Sequence, residues 1–163
     1  MTKKKAPNPA KETRTCLTFP WHHKNVLKAV SPKMTCTWIR KRVSDTSADR
    51  EYTTHVMGDF KCMNTTCSTP GWGSKKVAIQ IRGYAGNGYN AVVFNQRCKD
   101  CDELGTLHLD KKSYVERIAY RIQKWAGVQA EQPFYASKNG LPHKSELCEG
   151  CKRGVCRQTN DWG

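Results

Sequence analysis

The chain has 163 residues, 37% of them hydrophobic, and carries 28 Lys and Arg against 14 Asp and Glu, a formal charge of +14. With a mean hydropathy of −0.75, it has no run near the ~20 apolar residues that span a bilayer, so a membrane span is excluded and one lean domain with tails is expected. Its charge points to polyanionic partners such as RNA, DNA or acidic proteins.

Residues 1–18 read as a disordered basic arm, with Lys3, Lys4, Lys5, Lys11 and Arg14 between Pro7 and Pro9 and few apolar neighbours. The start shows no apolar leader run, which predicts a cytoplasmic or nuclear protein. Trp21, Val26, Leu27 and Val30 form the apolar side of a short helix over Phe19 to Val30, stopped by Ser31-Pro32. His22 and His23 fall on it and are given surface or packing roles.

Thr35 to Val43 alternates like a strand. Trp38 with Arg40, Lys41 and Arg42 makes a basic–aromatic cluster of the kind that contacts nucleic acid. After the polar run Ser44 to Glu51, a second strand is expected over Tyr52 to Cys62, with a bend at Gly58-Asp59. The clearest pattern is Ser74 to Cys98. Val77, Ile79 and Ile81 alternate with Ala78, Gln80 and Arg82, Asn87-Gly88 supplies the hairpin turn, and Tyr89 to Gln96 returns.

Asp110 is placed to cap a helix from Lys111 to Trp125 that Gly127 stops. Tyr114, Val115, Ile118, Ala119, Ile122 and Trp125 form its apolar stripe. Arg117, Arg121 and Lys124 make a basic stripe on its other face, a second place for phosphate contacts. Ala130 to Leu141 reads as a loop that exposes Phe134 and Tyr135.

Eight ligand-type residues organise the chain: Cys62-x4-Cys67 with Cys98-x2-Cys101, and His143-x4-Cys148-x2-Cys151-x4-Cys156. That number suits two tetrahedral zinc ions. An odd total of nine cysteines and the C-x2-C spacings oppose a disulfide framework, and Cys16 and Cys36 are left as free thiols. Thiolates and zinc together bring the charge to about +11. Sequential grouping of the ligands is favoured because the hairpin brings its two ends together. The alternative shares Cys98 and Cys101 with Cys148 and Cys151. The expected fold is α+β: a small zinc-stabilised antiparallel sheet with a zinc-ribbon-like hairpin, one packed amphipathic helix and a C-terminal zinc knuckle.

Several clustered motifs carry a family resemblance. They are Phe60-x-Cys62, Trp72-x-Ser74, Gln96-Arg97-Cys98-Lys99-x-Cys101, Tyr114 to Tyr120, Lys124-Trp125, and Pro142-His143-x-Ser145-Glu146-Leu147-Cys148-Glu149-Gly150-Cys151-Lys152-x-Gly154-x-Cys156. Together with Phe19-Pro20 and His55-Val56-Met57-Gly58, they make residues 19–157 resemble the 3CxxC-type zinc-binding domain, most closely its single-domain fungal branch. Residues 158–163 are then a short tail. The resemblance implies zinc at the eight positions above. Related branches are the zygote arrest proteins, which bind RNA through such a domain, and the receptor-transporting proteins, which assist membrane-receptor delivery. One departure is the four-residue spacer between Cys62 and Cys67, where the family name implies two.

Fully ligated, thiolate-rich zinc leaves no open position for a substrate or an activated water. No H-E-x-x-H or deaminase signature occurs, and Glu149 reads as a rim carboxylate. The expectation is a non-enzymatic protein with no small-molecule substrate. It would bind RNA or another nucleic acid through Trp38, Arg40, Lys41, Arg42, Arg117, Arg121, Lys124, Lys144, Lys152 and Arg153, with Arg157 nearby. The alternative is a protein-interaction adaptor or trafficking chaperone.

Overall fold

The computed structural model describes residues 12–31, 33–34, 37–40, 48–130 and 145–152. Its centre is the long strand β4 (Gly71–Tyr84), in which Val77, Ile79 and Ile81 are fully buried. β4 pairs antiparallel with β3 (Arg50–Lys61) on one side and with β5 (Gly88–Phe94) on the other, setting Val56 opposite Val77 and Val93 opposite Ile79. On the outer edge of β5, β1 (Cys16–Leu17) runs antiparallel and β2 (Trp38–Ile39) parallel; β6 (Thr106–Leu109) closes the far side of β3. The strand order is β1-β5-β4-β3-β6, with β2 paired to β5 off this path.

Period-two alternation turns one face of this sheet into the main core. The helix α2 (Lys111–Trp125) lies on β3 and β4, and α1 (His23–Val30) packs against α2. Val26 and Val30 of α1 meet Tyr114, Ile118 and Ile122 of α2 in a single cluster with Val56, Val77 and Ile79. Each fully buried aliphatic side chain contributes roughly 1.5–3 kcal/mol. The opposite face carries a smaller cluster of Ala78, Val92, Phe94 and Cys148. The fold is thus α+β as the sequence indicates, but with two packed helices rather than one.

α2 begins where expected. The Asp110 side chain accepts from the Ser113 amide, and Gly127 follows the helix with φ +75°. Other boundaries move. In α1 only Val26 and Val30 are buried, while Trp21 and Leu27 face outward, because a 3-10 turn over Pro20–His22 precedes the helix and rotates Trp21 away from the core. The hairpin turn sits one residue earlier than Asn87-Gly88. Gly86 and Asn87 take positive φ, and Gly88 is already in β5 opposite Tyr84. Gly88 answers a different need: a Cβ there would come within 2.2 Å of the Trp38 indole.

The strand expected over Thr35 to Val43 is described only at Trp38–Ile39. The bend near Gly58 is a β-bulge between Val56 and Gly58. The basic arm through residue 11, the loop at 131–144 and the tail lie outside the described residues. No helix among the described residues is long and apolar enough to cross a membrane.

Candidate metal centre

Two connections meet at one end of the sheet. Cys62 directly follows β3, and Cys67 lies in the β3–β4 connection, so this pair sits where β3 turns into β4. Cys98 and Cys101 lie in the crossing from β5 to β6. The sulfurs of Cys62, Cys67, Cys98 and Cys101 all lie within 4.8 Å of one another. Cys62 and Cys101 are 3.7 Å apart, and Cys67 and Cys98 are 3.9 Å apart. A tetrahedron of Zn–S bonds near 2.3 Å sets its sulfurs about 3.8 Å apart, so the thiols are spaced for zinc. The first four ligand-type cysteines therefore converge on one another, as in the sequential grouping.

Local chemistry explains how the chain reaches this arrangement. The four-residue spacer folds on Asn64: its carbonyl accepts from the Cys67 amide at 3.0 Å, and its side-chain oxygen takes the Thr66 amide and hydroxyl at 3.1 and 2.8 Å. The Cys62 amide donates to the Pro70 carbonyl at 3.0 Å. The extra residues are thus absorbed in a tight turn. Across the site, the Cys98 amide bonds the Glu103 carbonyl and the Asp102 amide bonds the Cys98 carbonyl, each at 2.8 Å, and Asp102 takes φ +59°. Asx residues tolerate that conformation better than most. The Thr69 hydroxyl donates to the Asp100 carboxylate, tying the two loops together.

Backbone amides also point at the sulfurs. Asn64 donates to Cys62, Thr69 to Cys67 and Glu103 to Cys101. Such amides favour thiolate, the form that binds metal. Burial acts the other way and, with the adjoining thiols, pushes Cys62 up to about 12 despite the Asn64 amide. Cys67 is also raised: the Thr69 amide pulls it down, but burial and the Cys101 and Cys98 thiols outweigh it. Cys101 is lowered: burial opposes ionisation, but the Glu103 amide, the Asn64 side chain and the Cys62 and Cys67 thiols more than offset it. Crowded thiols that resist ionising together are what a divalent cation resolves, since its charge favours every thiolate at once.

The second ligand-type group is described in part. Cys148 is fully buried, and the Cys151 amide donates to its sulfur at 3.4 Å, a knuckle-like contact. Both sit at the short helix α3 (Glu149–Lys152), where Gly150 lies so close to β4 that a Cβ would come 2.7 Å from that of Ala78. His143 and Cys156 lie outside the described residues. Cys16, read as a free thiol, packs against the same small cluster as Cys148 and Cys151. Glu149 is no rim carboxylate: it is 6% exposed and bonds the Arg97 Nε at 2.6 Å.

Of the ten residues singled out for nucleic acid, six are described, and four of these are engaged in packing. Arg117 is 3% exposed and donates to the His55 carbonyl; it is no part of a solvated stripe, because α2 buries a wide arc between α1 and the sheet. Arg121 stacks on Tyr52 with its guanidinium 3.4 Å from the ring centroid. Arg40 lies over Tyr84 at 4.5 Å and over half-buried Trp38 at 5.6 Å. Lys124 and Lys152 are exposed, whereas Lys41, Arg42, Lys144 and Arg153 lie outside the described residues. Sequence reasoning missed Asn64, whose only signal is its place between two ligand-type cysteines, and exposed Trp21, hidden by its fit to an apolar stripe.

Among known proteins, the 3CxxC zinc-ribbon family, a zinc-binding domain, matches residues 55–154. No curated protein and no solved structure matches the chain. A family match over more than half the sequence, joined to four thiols spaced for one metal ion, shows that this chain belongs to the 3CxxC zinc-ribbon family of zinc-binding domains.

Proposed function

We propose that the chain is a nucleic-acid-binding module held together by structural zinc, with single-stranded RNA as its natural class of ligand. One observation carries this reading: the described arginines are held in internal contacts while six exposed lysines are not, although Lys112 and Lys152 do pair with carboxylates. Arg14, Arg82 and Arg97 pair with carboxylates, Arg50 and Arg117 bond carbonyls, and Arg40 and Arg121 stack on tyrosines. Lys24, Lys28, Lys61, Lys75, Lys99 and Lys111 are exposed and have no ion pair with a carboxylate among the described residues. Guanidinium forks suit fixed internal contacts, while mobile ammonium groups suit phosphates. Lysine contacts of this kind give affinity without reading base identity.

The reading includes a second zinc at Cys148 and Cys151, completed by His143 and Cys156. It supports both ions as structural, because four protein ligands leave no position for reaction chemistry. In the Cys62–Cys101 site, the four thiolates would hold the ion and the Asn64, Thr69 and Glu103 amides would support them.

The test is binding of single-stranded RNA by the zinc-loaded chain across a salt series. Affinity should fall steeply and log-linearly with salt as phosphate contacts release counterions. Affinity that is flat with salt, or no binding at low salt, removes the reading. Capture of a protein partner that survives nuclease treatment would then favour the adaptor alternative.

A further inference from the structure

Trp21 is 61% exposed, a poor use of a side chain that buries 150–250 Å² when packed. It is nevertheless firmly seated. Its ring meets Phe19 edge-on at 5.4 Å and lies 6.0 Å from His22. Phe19 and His22 in turn rest on Tyr114 at 5.6 and 5.7 Å, and Tyr114 is 1% exposed in the main core. The indole therefore stands on a ladder of rings anchored to α2. Exposed Lys24 and Lys28 follow it on α1, and exposed Lys111 opens α2. Lys24 and Lys111 both help hold the His22 imidazole below its ordinary pKa, after burial, so cations from two helices lie near the His22 ring that Trp21 contacts. Residues 13–44 contain seven Lys and Arg and no Asp or Glu.

We propose that Trp21, with Lys24, Lys28 and Lys111, forms a stacking platform for single-stranded nucleic acid, the indole taking one unpaired base and the lysines its flanking phosphates. This deepens the nucleic-acid reading above and rests on it. A lysine-rich patch drawn largely from a stretch without Asp or Glu fits a polyanion better than an apolar protein surface. An exposed ring offers a stacking face, which an unpaired base fills and a duplex does not.

The test uses the full zinc-loaded chain with a short oligouridylate, an RNA duplex of the same length and phosphatidylserine vesicles. Trp21→Ala should weaken oligouridylate binding by roughly tenfold, leave the duplex unaffected, and be largely rescued by Trp21→Phe. In the Lys24→Gln/Lys28→Gln/Lys111→Gln variant, the slope of log affinity against log salt should flatten by about 0.7 per lysine. Oligouridylate affinity unchanged in both variants overturns the platform while the nucleic-acid reading stands. Failure of the unmodified chain to bind either RNA removes both. Vesicle binding lost in Trp21→Ala with RNA binding intact assigns the patch to a lipid surface and also overturns the proposal.

Discussion

The guanidinium of Arg97 holds the buried carboxylate of Glu149 at 2.6 Å across 52 residues of sequence. Each is the immediate neighbour of a ligand-type cysteine, Cys98 and Cys148, and the two backbones also meet, with the Arg97 amide on the Leu147 carbonyl and Gln96 bridged to Cys148. The Cys62–Cys101 site and the C-terminal knuckle are therefore one mechanical unit. Removing Arg97 leaves a carboxylate inside the protein that, among the described residues, is balanced by Lys152 at 3.6 Å. Breaking a buried pair costs 3–5 kcal/mol. Because Arg97 is 27% exposed and Lys152 remains, Arg97→Ala should cost about 2 kcal/mol. Glu149→Gln should cost less, and the double variant less than the sum, which urea unfolding of the double-mutant cycle measures.

Metal and fold should be lost together at Cys98. Cys98→Ser removes a fully buried sulfur from the four-thiol cluster, so bound zinc should drop and stability fall by several kcal/mol, because metal binding energy is folding energy. Cys16→Ser, outside that cluster, should leave the zinc of the first site in place. Zinc content and thermal unfolding of both variants check this. A zinc-retaining Cys98→Ser would contradict the ligand geometry.

Gly88 should tolerate no side chain. An added Cβ would lie 2.2 Å from two carbons of the Trp38 indole, and the ring is held in place by β2 pairing with β5 and by Arg40 above it. Gly88→Ala is expected to destabilise by about 1–3 kcal/mol through overpacking. Gly127→Ala meets no neighbouring atom within 4 Å, but at φ +75° it should cost about 1 kcal/mol through backbone strain. Denaturant midpoints of the two variants separate crowding from conformation.

Stability should fall in mild acid. Burial holds both His22 and His23 below the ordinary value of 6.5, with Lys111 and Lys24 adding to the effect at His22. The unfolded chain then takes up protons first as pH drops below about 6.5, so the native state loses stability there and keeps it in full above. The His23 ring nitrogen is also 2.8 Å from the Tyr89 hydroxyl. Replacing both histidines with Gln should flatten the pH dependence of unfolding between neutrality and mild acid, after zinc loss is controlled at saturating metal.

Much of this was legible in the chain. The alternation of Val77, Ile79 and Ile81 gave the central strand, and Asp110 and Gly127 bounded α2, because period and caps are local signals. What escaped is tertiary. Arg117 looks like a solvated residue until α1 covers that side of α2, and Glu149 looks like a rim carboxylate until Arg97 arrives from the distant β5–β6 crossing. Trp21 fits an apolar stripe and is exposed, since the 3-10 turn at Pro20 changes its direction. Gly88 reads as turn chemistry, yet its smallness serves Trp38. The cysteine spacing indicated zinc, but that Cys62 and Cys67 cap the β3–β4 end follows only from the order of the strands.

Native mass spectrometry of the purified chain, with and without a chelator, tests zinc-dependent folding most directly. Zinc should be present in the native protein, and its removal should abolish the cooperative unfolding transition. A metal-free chain that still unfolds cooperatively, unchanged by added zinc, would contradict it.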